Sequence, residues 1–402
     1  MKITDIRCHL MQAGPPPHTG WTATGTTALA GSRNWLFVTL HSDTGLAGTG
    51  EGSGWPRVVA TAVDDLRHLL IGEDAADIER LGQKLRVAIM GHGQSGVVGM
   101  GALAAIDTAL WDLKGQALGT TVANLLGGHT RTRIPYYSHA ANAGTALAAV
   151  ARGVRAVKVG GIVDVVERAF AVRAAVGPDV DLMVDLHGPP WLTAADAAAI
   201  GRALEPLNLL FLEEPVAPDN LDGWRQVRER VALPLAGGER LATLAEFRPF
   251  IEERLLDVLQ PDTGRFGGLT AMRKLAGLAE AHGLLVAPHS GSLGPVAEVA
   301  AVHLMAAIPN ALILERMEPD WPGRDRVTRS ALVAEAGHLL LPEGPGLGVQ
   351  IDEAFIAQHP SQCNSGLAVG GWNACTEAQT LHTQARRPRA GITRTHAKDA
   401  HD

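Results

Sequence analysis

Seven chemically capable side chains stand at the ends of successive apolar runs: Lys158 in "AVK", Asp185 in "DLMVD", Glu213 in "LLFLE", Glu239 in "LPLAGGE", Asp262 in "DVLQPD", His289 in "LLVAPH" and Glu315 in "ALILE". Their residue numbers differ successively by 27, 28, 26, 23, 27 and 26. Each interval is the length of one strand, loop and helix, a register that unrelated polar residues would not hold. Parallel strands closed into a barrel gather their C-terminal residues at one mouth, so the spacing predicts that these side chains meet there.

Asp185, Glu213 and Glu239 then bring three carboxylates to one point. Three anions that close repel one another unless a cation sits among them, and oxygen-only ligands favour a hard divalent ion, Mg²⁺ foremost. Separate helix caps or salt bridges are the plainer alternative. Glu214 follows Glu213 and by strand alternation faces away from the ion, towards a basic partner such as Lys158. Asp262 and His289 end neighbouring runs, where the carboxylate can orient the imidazole and raise its basicity, giving a general base near neutral pH. Glu315, if protonated, can donate to a developing oxyanion; packing against the closing strand is its other role. His187 stands two residues after Asp185 in "VDLHGPP", so in an extended chain both project to one side, as a metal ligand beside a proton donor or as a simple ion pair. A metal next to a base is what deprotonation beside a carboxylate requires, because that carbon acid is very weak.

The elements that must position these groups are legible around them. The seven runs are continuous Val, Leu, Ile and Ala, as parallel strands covered on both faces are, and helical patterns such as "TAADAAAIGRALEPL" and "GLTAMRKLAGLAEAHG" lie between them. Residues 126–320 are therefore expected to form the barrel. Residues 1–125 read as a smaller α+β domain with two strands, "KITDIRCHL" and "RNWLFVTLHSD", and three helical patterns, "RVVATAVDDLRHLLIG", "DIERLGQKLRVAIM" and "ALAAIDTALWDLKGQALG". The Pro- and Gly-rich stretch Pro15–Ser32, with Trp21, is a covering loop or a disordered insert. Residues 321–357 read as a strand and turn returning to the first domain, and 358–402 as a disordered tail.

Composition narrows the class. A chain of 402 residues with 46% hydrophobic and 19% charged residues can bury a large core, and a formal net charge of −7 offers no basic field for nucleic acid. The one basic cluster, "ARRPRAGITRTHAK", lies in the tail. No uncharged apolar run reaches the ~18 residues of a spanning helix and no secretion signal opens the chain, so no membrane role is expected and the cytoplasm is the expected location. Cys8, Cys363 and Cys375 are too few and scattered for a disulfide framework or a thiolate zinc site.

The runs "ALAAIDTALWDLKGQALGTTVANLLGG", "VDLHG", "FLEEP", "GGER", "LQPDTGRFGGLT", "APHSGSLGP" and "PEGPGLGV" resemble those of the enolase superfamily, and within it the mandelate racemase subgroup, over residues 1 to 357. The resemblance implies an α/β fold, a modified (β/α)7β TIM-like barrel with an N-terminal α+β capping domain. It also implies Mg²⁺ held by Asp185, Glu213 and Glu239, and a His289–Asp262 dyad. "DLHG" and the "APHSGSLGPVAEVAAVHL" segment are similar to acid-sugar dehydratases of the D-galactonate type, in which the histidine after the first ligand acts as general acid on the departing 3-hydroxyl. That role falls on His187. Mannonate dehydratases share Asp-x-His but carry a long insertion after the second barrel strand, where this chain has "KVGGIVDVVERA".

One departure bears on the reaction. Many racemases and cycloisomerases of the subgroup carry two lysines flanking one residue at the end of the second barrel strand, whereas "AVKVGG" has one. Aligned as the outer lysine, Lys158 leaves Gly160 in place of the base; the other alignment makes Lys158 the base. The first alignment favours one-base dehydration of a sugar acid, an aldonate such as galactonate, to a 2-keto-3-deoxy acid. The rivals are an epimerase or racemase using Lys158 opposite His289, and a non-catalytic acid-sugar sensor. The family habit implies a homo-oligomer, dimer or octamer. Substrate choice is expected in Pro15–Ser32 and in "GHGQSG" near His92.

Overall fold

The structure is a computed structural model that describes residues 1–13, 33–91, 93, 96–162, 164–186 and 191–361. The loop Pro15–Ser32, His92, His187 and residues 362–402 therefore lie outside the described residues. Among the described residues no helix is long and apolar enough to cross a membrane.

The first unit is an antiparallel sheet of β1 (Ile3–Ala13), β2 (Arg33–Ser42) and β3 (Ala47–Gly52), covered by α1 (Pro56–Leu66), α2 (Ile78–Gly91) and α3 (Val97–Leu118). β3 reads "AGTGEG" because α3 lies almost on its backbone. A Cβ at Gly48 would stand 2.2 Å from the Ala109 carbonyl oxygen, and one at Gly50 2.0 Å from that of Ala105. Only glycine permits that approach. α3 is buried along most of its 22 residues, which is why its sequence is nearly all small or apolar. It is followed by α4 (Val122–Leu125).

The second unit alternates strands and helices. β4 (Arg133–His139), α5 (Ala143–Ala151), β5 (Ala156–Gly160), α6 (Val165–Val176), β6 (Asp181–Asp185), α7 (Ala194–Leu204), β7 (Phe211–Glu213) and α8 (Leu221–Arg228) make the first half. β8 (Leu235–Gly237), α9 (Leu244–Glu252), β9 (Val258–Leu259), α10 (Gly268–Ala281), β10 (Leu285–Val286), α11 (Pro295–Ala307) and β11 (Leu314–Arg316) complete it. β4 to β10 pair in parallel in sequence order, and β11 pairs in parallel with β4. Val286 bridges Ala311, so the sheet closes on itself as a (β/α)7β barrel. Capped helix starts support it; Thr243 and Glu246 form a reciprocal capping box on α9.

The last segment departs from expectation. The strand in "AGHLLLPEG", β13 (His338–Leu340), does not join the first unit but pairs antiparallel with barrel strand β4, extended by β12 (Ala334–Glu335). Residues after it make the return: Leu347 N donates to Asp112, and Gln12 N to the His359 carbonyl beyond α12 (Glu353–Ala357). The short β13 pairs with Arg133, Ile134 and Pro135 at the start of β4, ahead of the residues that β5 and β11 take, before the chain crosses back.

Three buried carboxyls knit the units together. Asp112 accepts from Thr49 N and Leu347 N, Asp107 from Thr270 N on α10, and Glu51 from Gly294 N and Ala297 N at the start of α11. Burial pushes Asp107 and Glu51 up to about 7 and Asp112 up to about 6. For Glu51 the folded value lies above its ordinary 4.5, so the stability of the neutral form is complete below pH 4.5 and is lost as the pH rises through about 7. Glu51→Gln removes the titrating group, while its amide N–H₂ gives up one of the two backbone bonds, from Gly294 N or Ala297 N, at every pH. Across a pH series of denaturation curves from acid to alkaline, its stability should decline less than the wild type's. The difference should be on the order of 3 kcal/mol, since each tenfold difference in proton affinity between the folded and unfolded chain is worth about 1.4 kcal/mol. Equal declines would refute the assignment.

Candidate active site

Strand alternation builds the site. Tyr137, Ala156, Met183, Phe211, Ala236, Val258, Ala287 and Ile313 form an apolar plug inside the barrel. Two residues further along each strand the chain again points inward, and there it carries His139, Lys158, Asp185, Glu213, Gly238, Gln260, His289 and Glu315. Asp185 is in register with Glu213 on the adjacent strand. Asp262 lies one further inward step beyond Gln260 and bridges His289. His139 and Gln260 escaped the reading of the sequence, although the same two-residue step from the apolar runs "IPYYSH" and "DVLQ" marks both.

Lys158 is the cationic centre. Its buried Nζ lies 2.8 Å from Glu213 Oε2, 2.8 Å from Glu315 Oε1 and 3.3 Å from Asp185 Oδ2. Burial opposes its charge, but Glu213, Glu315, Tyr137 and Asp185 together raise its pKa well above the ordinary lysine value. Such surroundings hold an ammonium, not the free amine a base requires. Glu214, expected to face Lys158, instead engages Arg240, which also holds Glu239. The backbone is the reason: Glu214 adopts a positive φ of 38°, which breaks simple strand alternation. The Arg240 guanidinium packs over the Trp191 ring at 5.2 Å.

His289 and Asp262 form the expected pair, with Nδ1 2.7 Å from Oδ2. His289 Nε2 faces Glu239 Oε2 at 3.0 Å and Glu315 Oε2 at 3.6 Å. Burial works against its charge, yet Glu239, Glu315 and Asp262 push it up to about 9, above the near-neutral value expected from the sequence. Glu315 also departs from expectation. Burial favours its protonated form, but Lys158, His289 and His139 overcome this and hold the carboxyl well below the usual range. It accepts from Ser290 N and Gly291 N, both at 2.8 Å, and contacts His139 Nε2 at 2.8 Å, so it is an anion here and not an acid donor.

Carboxylates crowd the site: Asp185, Glu213 and Glu315 pair with Lys158, Glu214 and Glu239 with Arg240, and Asp262 with Arg265. Burial and then Asp185 push Glu213 up to about 7; burial and then Glu239 push Glu214 up to about 8. Glu213 Oε1 and Glu214 Oε1 are buried without a hydrogen-bond partner among the described residues. No group of three or more acidic, imidazole or thiol side chains among the described residues already stands in ion-holding geometry. Lys158, Arg240 and His289 draw the carboxylates to themselves instead. The donor chemistry nonetheless fits a hard divalent cation, which would satisfy an orphaned oxygen and relieve the repulsion among the carboxylates.

Comparison with known proteins agrees with the fold. Residues 9–127 match the mandelate racemase/muconate lactonizing enzyme N-terminal domain and residues 142–355 the enolase C-terminal domain-like family. A D-galactonate dehydratase of Ralstonia nicotianae is 36% identical over 352 residues, 81% of this chain and 90% of that protein. A D-galactarolactone cycloisomerase of Agrobacterium fabrum is 33% identical, covering 89% of this chain and 98% of that one. The crystal structure of the 3,6-anhydro-D-galactonate cycloisomerase from Zobellia galactanivorans superposes with a TM-score of 0.81 at 30% identity, over 90% of this chain and 100% of that one. The chain is an enolase-superfamily enzyme and belongs to the mandelate racemase/muconate lactonizing enzyme family.

Proposed function

We propose that the protein is a Mg²⁺-dependent dehydratase of sugar acids, an aldonate such as galactonate being the substrate class. The observation that carries this is the Asp262-backed imidazole of His289, aimed from the barrel mouth at the carboxylate cluster. Asp185, Glu213 and Glu239 would hold the ion, which supplies positive charge to a bound carboxylate and so acidifies the neighbouring C–H. His289 Nε2 takes the C2 proton. Because Glu239 and Glu315 hold that ring protonated, the base role requires Glu239's charge to be taken up elsewhere, as a metal ligand's is. Lys158 and anionic Glu315 keep the floor of the site rigid and charge-paired.

The C2 electron pair then forms the C2–C3 double bond as the C3–O bond breaks. His187 donates the proton that lets hydroxide leave as water, and the enol tautomerises to the 2-keto-3-deoxy acid. This role for His187 rests on its place two residues after Asp185. Epimerisation is disfavoured because Lys158, the second base it needs, is tied to three carboxylates. A sensor would have no use for the oriented dyad.

The test is turnover of a panel of acid sugars with Mg²⁺ in D₂O, followed by NMR. A 2-keto-3-deoxy product is expected. Deuterium at C2 of recovered substrate without that product would sink the dehydratase reading in favour of epimerisation, and binding without turnover of any member would favour the sensor. In His187→Asn, Mg²⁺ binding and C2 exchange should persist while dehydration falls by about 10²-fold or more, as for a lost general acid. Loss of exchange in the folded, metal-bound variant would remove His187 from the acid role.

A further inference from the structure

The base is assembled across the boundary between the two units. Ser53 follows β3 in the capping sheet, and its Oγ donates to Asp262 Oδ1 at 3.2 Å. Gly264 N donates to the same oxygen at 2.8 Å. Arg265 Nε lies 3.2 Å from Ser53 Oγ and 3.3 Å from Asp262 Oδ2. The rest of the guanidinium reaches Ser292 Oγ at 2.7 Å and the Glu239 carbonyl at 3.3 Å. Ser53 N is itself anchored to the Gly264 carbonyl at 2.8 Å. Gly264 permits this closeness, since a Cβ there would stand 2.9 Å from Ser53 Oγ. Trp35 on β2 adds a bond from Nε1 to the Ser292 carbonyl.

We propose that Ser53 and Arg265 are positioning residues for the Asp262–His289 base, so that proton abstraction at C2 requires the capping sheet to be seated on the barrel. Ser53 and Gly264 N hold Asp262 Oδ1, which leaves Oδ2 to face His289 Nδ1 and fixes the ring with Nε2 towards substrate. Arg265 compensates the buried Asp262 charge and bridges the strand ends that carry Asp262, Glu239 and Ser292. An outer partner of this kind acts by orientation and leaves substrate contacts untouched. The proposal rests on the dehydratase reading, with His289 as its base.

The experiment compares Ser53→Ala, Ser53→Thr, Arg265→Met and Arg265→Lys in the full-length, Mg²⁺-loaded protein, each first checked for wild-type thermal unfolding. Ser53→Ala should lower kcat and C2 exchange together by about 10-fold, and Arg265→Met by about 10- to 100-fold, the worth of a hydrogen bond to a buried charge. KM should stay within about 2-fold, while Ser53→Thr or Arg265→Lys restores most of the rate. A second readout needs no substrate: the deshielded Nδ1–H proton of His289, identified by its loss in His289→Asn, should shift or broaden in Ser53→Ala and Arg265→Met. Unchanged kcat, a change confined to KM, or an unmoved Nδ1–H signal would overturn the proposal. If the wild type converts no acid sugar, the dehydratase reading fails and the Nδ1–H signal alone decides the positioning role.

Discussion

His289→Asn should lose turnover and C2 hydrogen–deuterium exchange together, by about 10³-fold, within the 10²- to 10⁴-fold range of a lost general base. Mg²⁺ binding, followed by calorimetry, should survive, because no carboxylate is removed. The matching variant Asp262→Asn tests the dyad without altering shape. Gly264 N and the Ser53 hydroxyl both donate to Asp262 Oδ1, so the asparagine will keep its oxygen there. Its amide N–H₂ must then face His289 Nδ1, driving the ring proton to Nε2, the nitrogen that has to accept. The loss should approach that of His289→Asn although every ring atom is retained. Full C2 exchange in either variant would place the base elsewhere in the ring.

The second large effect is on stability. Lys158→Met preserves much of the volume but strips the ammonium from Asp185, Glu213 and Glu315, all buried. Removing one member of a buried ion cluster leaves charges uncompensated and costs about 3–5 kcal/mol. Without divalent cation the variant's unfolding free energy, read from denaturant curves, should fall by that amount. Mg²⁺ should then stabilise the variant more than it does the wild type, since the ion meets surplus carboxylate and no longer competes with a cation already in place. An unchanged midpoint, or equal Mg²⁺ increments, would show that the carboxylates do not share a site. Turnover should stay low even with saturating ion, because Glu315 and Glu213 lose the group that orders them.

The near-constant spacing of polar strand ends was enough to forecast the barrel, because each strand-and-helix unit has a length set by the layer it spans. What spacing could not convey was pairing. "FLEEP" offers two adjacent glutamates, and only the positive φ at Glu214 shows that it escapes alternation and meets Arg240 instead of Lys158. Glu315 looked like an acid donor in isolation; Lys158, His139 and two backbone N–H groups make it an anion. A pKa is a property of surroundings, and those surroundings come from strands distant in the chain.

By itself, then, the sequence determined this protein's strand-and-helix rhythm, its family and the residue types that arrive at the barrel mouth, since period-2 alternation and unit length are local properties of the chain. Only the tertiary structure decided which carboxylate meets which cation, that His139 bonds Glu315, that β13 extends the barrel sheet before the chain returns, and that Ser53 of the cap touches the dyad aspartate. Ser53 and Asp262 stand 209 residues apart, and no periodicity links them. Their contact exists because Gly264, with no Cβ to stand 2.9 Å from Ser53 Oγ, lets the loop after β9 close on the end of β3, where Ser53 N bonds the Gly264 carbonyl.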